Sequence, residues 1–186
     1  MSKQKISVYL KYFIFTLVFF AFCGFQSSFW PFILENLPSP QLWLIFIIFV
    51  ALRWPNTNNI FYIYFLGFCM TQFSYVSLKT LWMSLFVVTI FVWTFKNRIH
   101  TNSLFFFSIL VSSASLLYSV MYILISHWLE ANPTPIYFVH RLLEIGCNFL
   151  FSIPVFKLLD YLNDKFKTSV DWGVTQAEQQ HREVET

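Results

Sequence analysis

The stretch "LWLIFIIFVALRWPNTNNIFYIYFLGF", residues Leu42 to Phe68, decides the fold. Two apolar runs are separated by one cation, one tryptophan, one proline and a short run of Asn and Thr. Proline ends a helix because it lacks an N–H and clashes with the preceding turn. Arg53 and Trp54 are the residue types that collect at a membrane–water boundary. The reading is therefore two apolar helices joined by a tight polar turn at a membrane face, with Asn58 or Asn59 capping the second helix.

The rest of the chain has the same character. Of 186 residues, 57% are hydrophobic and only 11% charged, whereas a soluble domain carries roughly a quarter charged residues. A water-soluble core could not hide this much Phe, Leu and Ile, so the fold class is all-α integral membrane protein. Six candidate spans follow: Ile6 to Phe25, Pro40 to Trp54, Ile60 to Val76, Leu78 to Phe95, Ser103 to Trp128, and Ile136 to Leu159. A full crossing takes about 20 residues, so the second span is short and is either a crossing or a re-entrant segment. Ser39 is its expected N-cap and Pro40 its first helical residue. Residues 1–165 form the transmembrane domain, and 166–186 switch to a polar composition expected of a mobile cytoplasmic tail.

The first run follows "MSKQK" but exceeds an export signal's ~7–15-residue apolar region, so it reads as a retained span with its positive end inside. With six spans and the N-terminus inside, Lys3, Lys5, Lys11, Arg53, Lys96, Arg98, Lys157, Lys165 and Lys167 fall on the inner side, against Lys79 and Arg141 outside. That bias puts both termini in the cytoplasm. Tryptophans agree, with Trp30, Trp43, Trp82 and Trp128 expected at outer ends and Trp54 and Trp93 at inner ends. No clustered basic face exists, so nucleic acid is not an expected partner.

Two constellations stand out. Ser108, Ser112, Ser115 and Ser119 share one face of the fifth span. Small residues let helices approach closely in lipid, so this face reads as a packing seam, with a polar conduit as the alternative. In the sixth span, His140, Glu144 and Asn148 form an i, i+4, i+8 stripe, with Arg141 three residues before Glu144. Ionisable groups within a membrane are functional suspects; here the choice lies between a structural or partner-facing ion pair and a substrate or proton role.

No zinc-protease, nucleophile-elbow or phosphate-loop motif is present. Ser112 and His127 differ in depth by about four turns, ~22 Å. Enzymatic chemistry, cofactors and a metal site are accordingly not expected. Cys23, Cys69 and Cys147 lack CxxC spacing and read as buried structural thiols.

The opening stretch also resembles the rod-shape-determining MreD family. The residues that carry the resemblance are Leu42 to Leu52, then Arg53, Trp54 and Pro55, then Gly67, and finally Asn148 and Pro154 ahead of Lys157. The resemblance implies a six-helix fold similar to the substrate-binding subunits of vitamin-uptake transporters. It implies a non-enzymatic component of the bacterial inner membrane that supports cell elongation and lateral peptidoglycan synthesis. Implied partners are MreC, indirectly the MreB filament, and the elongation glycosyltransferase with its class B penicillin-binding transpeptidase, besides membrane lipid. The alternative is a small-molecule, vitamin-type binding subunit of an uptake transporter.

Overall fold

A computed structural model describes residues 3–35, 37–54, 57–74, 76–96, 103–133, 135 and 137–166. Among these, every regular element is helical. In chain order they are α1 (Lys3–Gly24), a π-helical turn (Phe25–Phe29), α2 (Trp30–Ile33), α3 (Leu42–Arg53), α4 (Thr57–Met70), α5 (Leu78–Lys96), α6 (Leu104–Leu129) and α7 (Phe138–Lys165). Four segments are long and apolar enough to cross a membrane: Tyr9–Ile33, α5, α6 and α7. The described chain is all-helical, and its long apolar helices have the make-up of membrane spans. The first span runs past Phe25, because the π turn carries the helix on into α2.

The remaining two helices, α3 and α4, are short. At 1.5 Å per residue, the 12 residues of α3 reach ~18 Å and the 14 of α4 ~21 Å, against a hydrocarbon thickness of about 30 Å. A helix that is apolar on every side must be surrounded. In α3 that holds without exception, since no residue from Leu42 to Leu52 exceeds 3% exposure. It is the axis of the bundle, touched by α1, α4, α5, α6 and α7. Rings from three helices pack around it, with Phe15 and Phe46 edge to face at 5.9 Å and Phe49 against Phe107 and Phe156 at 6.3 and 5.8 Å.

α3 runs parallel to α7 and in register with it. Gln41 meets Asn148, Arg53 meets Asp160 twelve residues on in both helices, and Trp54 meets Asn163. The head of α3 therefore lies level with Asn148, ten residues or ~15 Å below the start of α7 at Phe138. The segment leading to it, Leu34 to Gln41, is largely non-helical and descends into the bundle. Irregular backbone at membrane depth is tolerated only when enclosed by protein. Pro38 and Pro40 are both buried here and have no N–H to satisfy.

This geometry corrects three expectations. Ser39 does not cap the second span and Pro40 is not helical, because the helix begins at Leu42 with Gln41 at the cap position. Trp43 is no interfacial residue: so deep a start places it in the core, 3% exposed, edge to face with Tyr118 at 5.3 Å. Asn59 does not cap α4, which starts at Thr57. Its amide reaches back across the turn to the Trp54 carbonyl at 2.6 Å. Asn58 also falls within that helix.

At Gly67, α4 packs tightly against side chains of α5. A Cβ there would meet Leu85 Cδ1 at 2.8 Å and Leu81 Cδ2 at 3.1 Å, and both leucines are fully buried. Pro154 sits on the exposed face of α7, so the carbonyl left without its helical donor faces away from α3.

Candidate functional site

Two polar clusters lie at the two ends of α3. At its head, the Gln41 backbone N–H donates to Asn148 Oδ1 at 2.6 Å, and its side-chain Nε2 donates to Glu144 Oε1 at 2.7 Å. Arg141 holds the other carboxylate oxygen of Glu144 at 2.8 Å. Asn148 Nδ2 donates to Ser115 Oγ at 2.9 Å on α6 and points weakly at Gln41 Oε1, 3.5 Å away. Asn148 and Ser115 are fully buried, and Gln41 and Glu144 nearly so.

One residue thus ties three helices. A first-turn N–H has no partner within its own helix, and a buried one needs an acceptor from elsewhere. Asn148 supplies the acceptor, while Glu144 lies beside the electropositive end of α3. Arg141 is the more exposed member of its pair, with 26% of its side chain accessible against 12% for Glu144, as a long cation reaching towards the surface would be.

The stripe continues down α7. Ser152, four residues after Asn148, donates to Ser108 Oγ at 2.7 Å and also lies 2.6 Å from the Phe149 carbonyl. Ser108 and Ser115 therefore face α7 directly, and α6 and α7 pack closely along this seam. Ser112 is turned to the edge, its hydroxyl on the Ser108 carbonyl at 3.0 Å, and Ser119 is buried without joining the α7 contacts described here. Ser112 and His127 are not brought together, since the His127 ring lies on the carbonyl of Ile123. His140 is exposed on the surface of α7.

The tail of α3 carries a second cluster. Arg53 pairs with Asp160 at 2.6 Å and lies over the Phe156 ring, and Trp54 Nε1 donates to Asn163 Oδ1 at 3.0 Å. Lys11 stands 4.6 Å above the Trp54 ring. Tyr12 donates to Asn59 Oδ1 at 2.6 Å and packs edge to face on both Trp54 and Tyr62. Trp93 Nε1 reaches the Ala51 carbonyl at 3.2 Å. The described ends of α1 and α7 thus share one basic, aromatic face of the bundle with the α3–α4 turn. Pro55, the third residue of the predicted turn motif, lies outside the described residues.

A smaller device closes the opposite end. Glu130, just beyond α6, receives the hydroxyls of Thr80 and Ser126. The Thr80 bond, with support from Ser126 and Ser77, outweighs desolvation and holds this carboxyl below its ordinary value of 4.5. An acid suits this place because it faces the first turn of α5, where N–H groups are unpaired.

Sequence reasoning missed Gln41, Ser152, Asp160, Asn163 and Glu130. Ser152 was legible as the next i+4 step after Glu144 and Asn148. Gln41 was hidden by the Ser–Pro pair before it, which imitates a helix start. The arrangement is a set of closed hydrogen-bond circuits fixing α3 against α7, α6 and α4. No protein-family model, curated protein or solved structure matches this chain.

Proposed function

We propose that this chain is a non-enzymatic scaffold or regulator in the bacterial inner membrane, acting with MreC and the elongation synthase in cell-shape maintenance. On this reading six segments cross the bilayer, α3 and α4 completing their passage through non-helical flanks, and both termini are cytoplasmic. The observation that carries it is how the polar and apolar groups are distributed. Inside the bundle Glu144 accepts from Gln41 and Arg141, Asn148 bonds Gln41 and Ser115, and Ser152 donates to Ser108. The long helices meanwhile turn large apolar side chains outward, among them Phe13, Phe86, Leu116, Leu124 and Leu150. Such a body offers partner helices a rigid apolar surface and holds its own polar chemistry closed. The resemblance of Leu42 to Gly67 and of Asn148 to Lys157 to the MreD pattern supplies the particular partners. Lys11, Arg53, Lys96, Lys157 and Lys165, on the α3–α4 turn side among the described residues, support the orientation.

The test is depletion in the rod-shaped bacterium that carries the protein. Rounded, widened cells are the expected result. Rods of normal width and length after clean depletion would contradict it.

A second reading, a vitamin-type binding subunit of an uptake transporter, draws on the deep start of α3 beside Glu144. Half-helix ends at mid-membrane are where transporters hold substrates. Here, however, Gln41, Arg141 and Ser115 already occupy the polar atoms a ligand would use. A stoichiometric small molecule copurifying with the protein would favour this second reading.

A further inference from the structure

The outward face of α7 carries two features that its own bundle does not use. Leu142, Leu143, Gly146, Leu150, Ile153 and Pro154 are all exposed and follow one another at helical spacing towards Lys157. Gly146 leaves a notch in this stripe, because a Cβ there would meet nothing within 4 Å. Further along, Pro154 has no N–H to give the Leu150 carbonyl, and its ring crowds that carbonyl out of the helical ladder. Among the described residues Pro154 is the one proline in the interior of a long helix. Ser152, the nearest hydroxyl on α7, is turned inwards to Ser108 Oγ at 2.7 Å and the Phe149 carbonyl at 2.6 Å, so it does not serve Leu150.

We propose that this face is the docking site for one transmembrane helix of another protein, with a small residue against Gly146 and a side-chain hydroxyl or amide donating to the Leu150 carbonyl, about one turn or ~6 Å away. The carbonyl decides what the occupant must be. Lipid tails offer no hydrogen-bond donor and the bilayer core holds no water, so a transmembrane proline is tolerated where a neighbouring group satisfies the backbone it frees. Lipid alone would cover the stripe and leave the Leu150 carbonyl without a donor. A second copy inserted the same way up would present the same face, and the six exposed residues of that face carry no side-chain donor. His140, also exposed, lies ten residues or ~15 Å from Leu150. A helix with its own donor is therefore required. The notch at Gly146 lets its backbone come close, which brings a short Ser, Thr or Asn side chain within reach of a main-chain oxygen. This inference rests on the reading of the chain as a membrane scaffold and adds which helix receives a partner, whether or not that partner is an elongation protein.

The test is photo-crosslinking of the full chain in its native membrane, with benzoylphenylalanine in place of Leu143 or Ile153, and in place of Leu116 or Leu124 on α6 as controls. The α7 positions should give one protein adduct of discrete mass that the α6 positions do not. Mass spectrometry of the crosslinked peptide should find a transmembrane segment with a small residue and a Ser, Thr, Asn or Gln about one turn apart. Gly146→Leu fills the notch and should lower the adduct yield about tenfold. Pro154→Ala restores the helical N–H to Leu150 and should lower it about threefold, the contribution of one interhelical hydrogen bond in a membrane. Both variants should melt no lower than the wild type, which separates loss of docking from loss of fold. Adducts with lipid only or with a second copy would overturn the proposal. So would equal yields from α6, a crosslinked segment without a donor, or either variant crosslinking like the wild type. Absence of the α7 adduct alongside rounded cells on depletion would strike this face and leave the scaffold reading standing.

Discussion

Replacing Asn148 with Leu probes the head of α3 directly. The side chain is fully buried and makes two good hydrogen bonds, one from the Gln41 backbone N–H at 2.6 Å and one to Ser115 Oγ at 2.9 Å. Leucine matches the volume closely enough that cavity formation is a minor contribution. The two bonds are unequal. Ser115 keeps a hydroxyl free to rotate to another acceptor, and interhelical bonds of this kind average about 0.6 kcal/mol in membranes. The Gln41 N–H has no such freedom. It is held at the head of an enclosed helix, and a buried donor left without a partner costs about 1–3 kcal/mol. The expected loss for Asn148→Leu is therefore about 2–4 kcal/mol, and for Ser115→Ala below about 1 kcal/mol. At about 2–4 °C per kcal/mol for a chain of this length, Asn148→Leu should melt about 5–15 °C lower. The assay is reversible unfolding in mixed micelles, with thermal melts in a mild detergent as a second readout. Equal, small losses for the two variants would refute the reasoning, because the N–H of Gln41 would then have another partner.

Other consequences can be checked in the same assay. Gly67→Ala should destabilise by about 1–3 kcal/mol by overpacking against Leu81 and Leu85. Gly24→Ala and Gly146→Ala meet nothing within 4 Å and should be neutral, or stabilising by up to about 1 kcal/mol through helix propensity; similar losses at all three would refute the close α4–α5 approach. Arg53→Ala combined with Asp160→Ala should show a favourable coupling of about 0.5–3 kcal/mol in a double-mutant cycle, and a coupling near zero would mean the pair is not formed. Glu130 has a lowered carboxyl pKa in the folded protein, so it stabilises above its ordinary value of 4.5 and loses that contribution as pH falls through the folded value. Glu130→Gln should accordingly lower the melting temperature at neutral pH and make it less sensitive to acidification below about pH 4.5. A melting profile that falls as steeply as the wild type's would remove Glu130 from that role.

The apolar helical class was legible from composition, and so was the break after Arg53, whereas the end of the first span and the start of the second were not. Helix length and burial were only half legible. The run Leu42 to Leu52 announces a buried helix because no face is polar, but nothing local says how deep its head lies. That depth comes from α7, 107 residues away, where Asn148 accepts the Gln41 N–H. The i, i+4 stripe on α7 was visible, and the spacing made Arg141 a natural partner for Glu144, but that the two pair is seen only in the structure. Its other partners were not visible, because Gln41 and Ser115 belong to helices whose rotation about their axes only packing sets. The same limit hid the Arg53–Asp160 pair, whose members lie 107 positions apart.

The proposal of a closed scaffold with apolar docking faces is tested most directly by affinity purification of the native protein in mild detergent, followed by mass spectrometry of everything retained. The account predicts recovery of MreC or the elongation synthase, with no stoichiometric vitamin-sized molecule. A bound small molecule at one equivalent, with neither partner present, would contradict it.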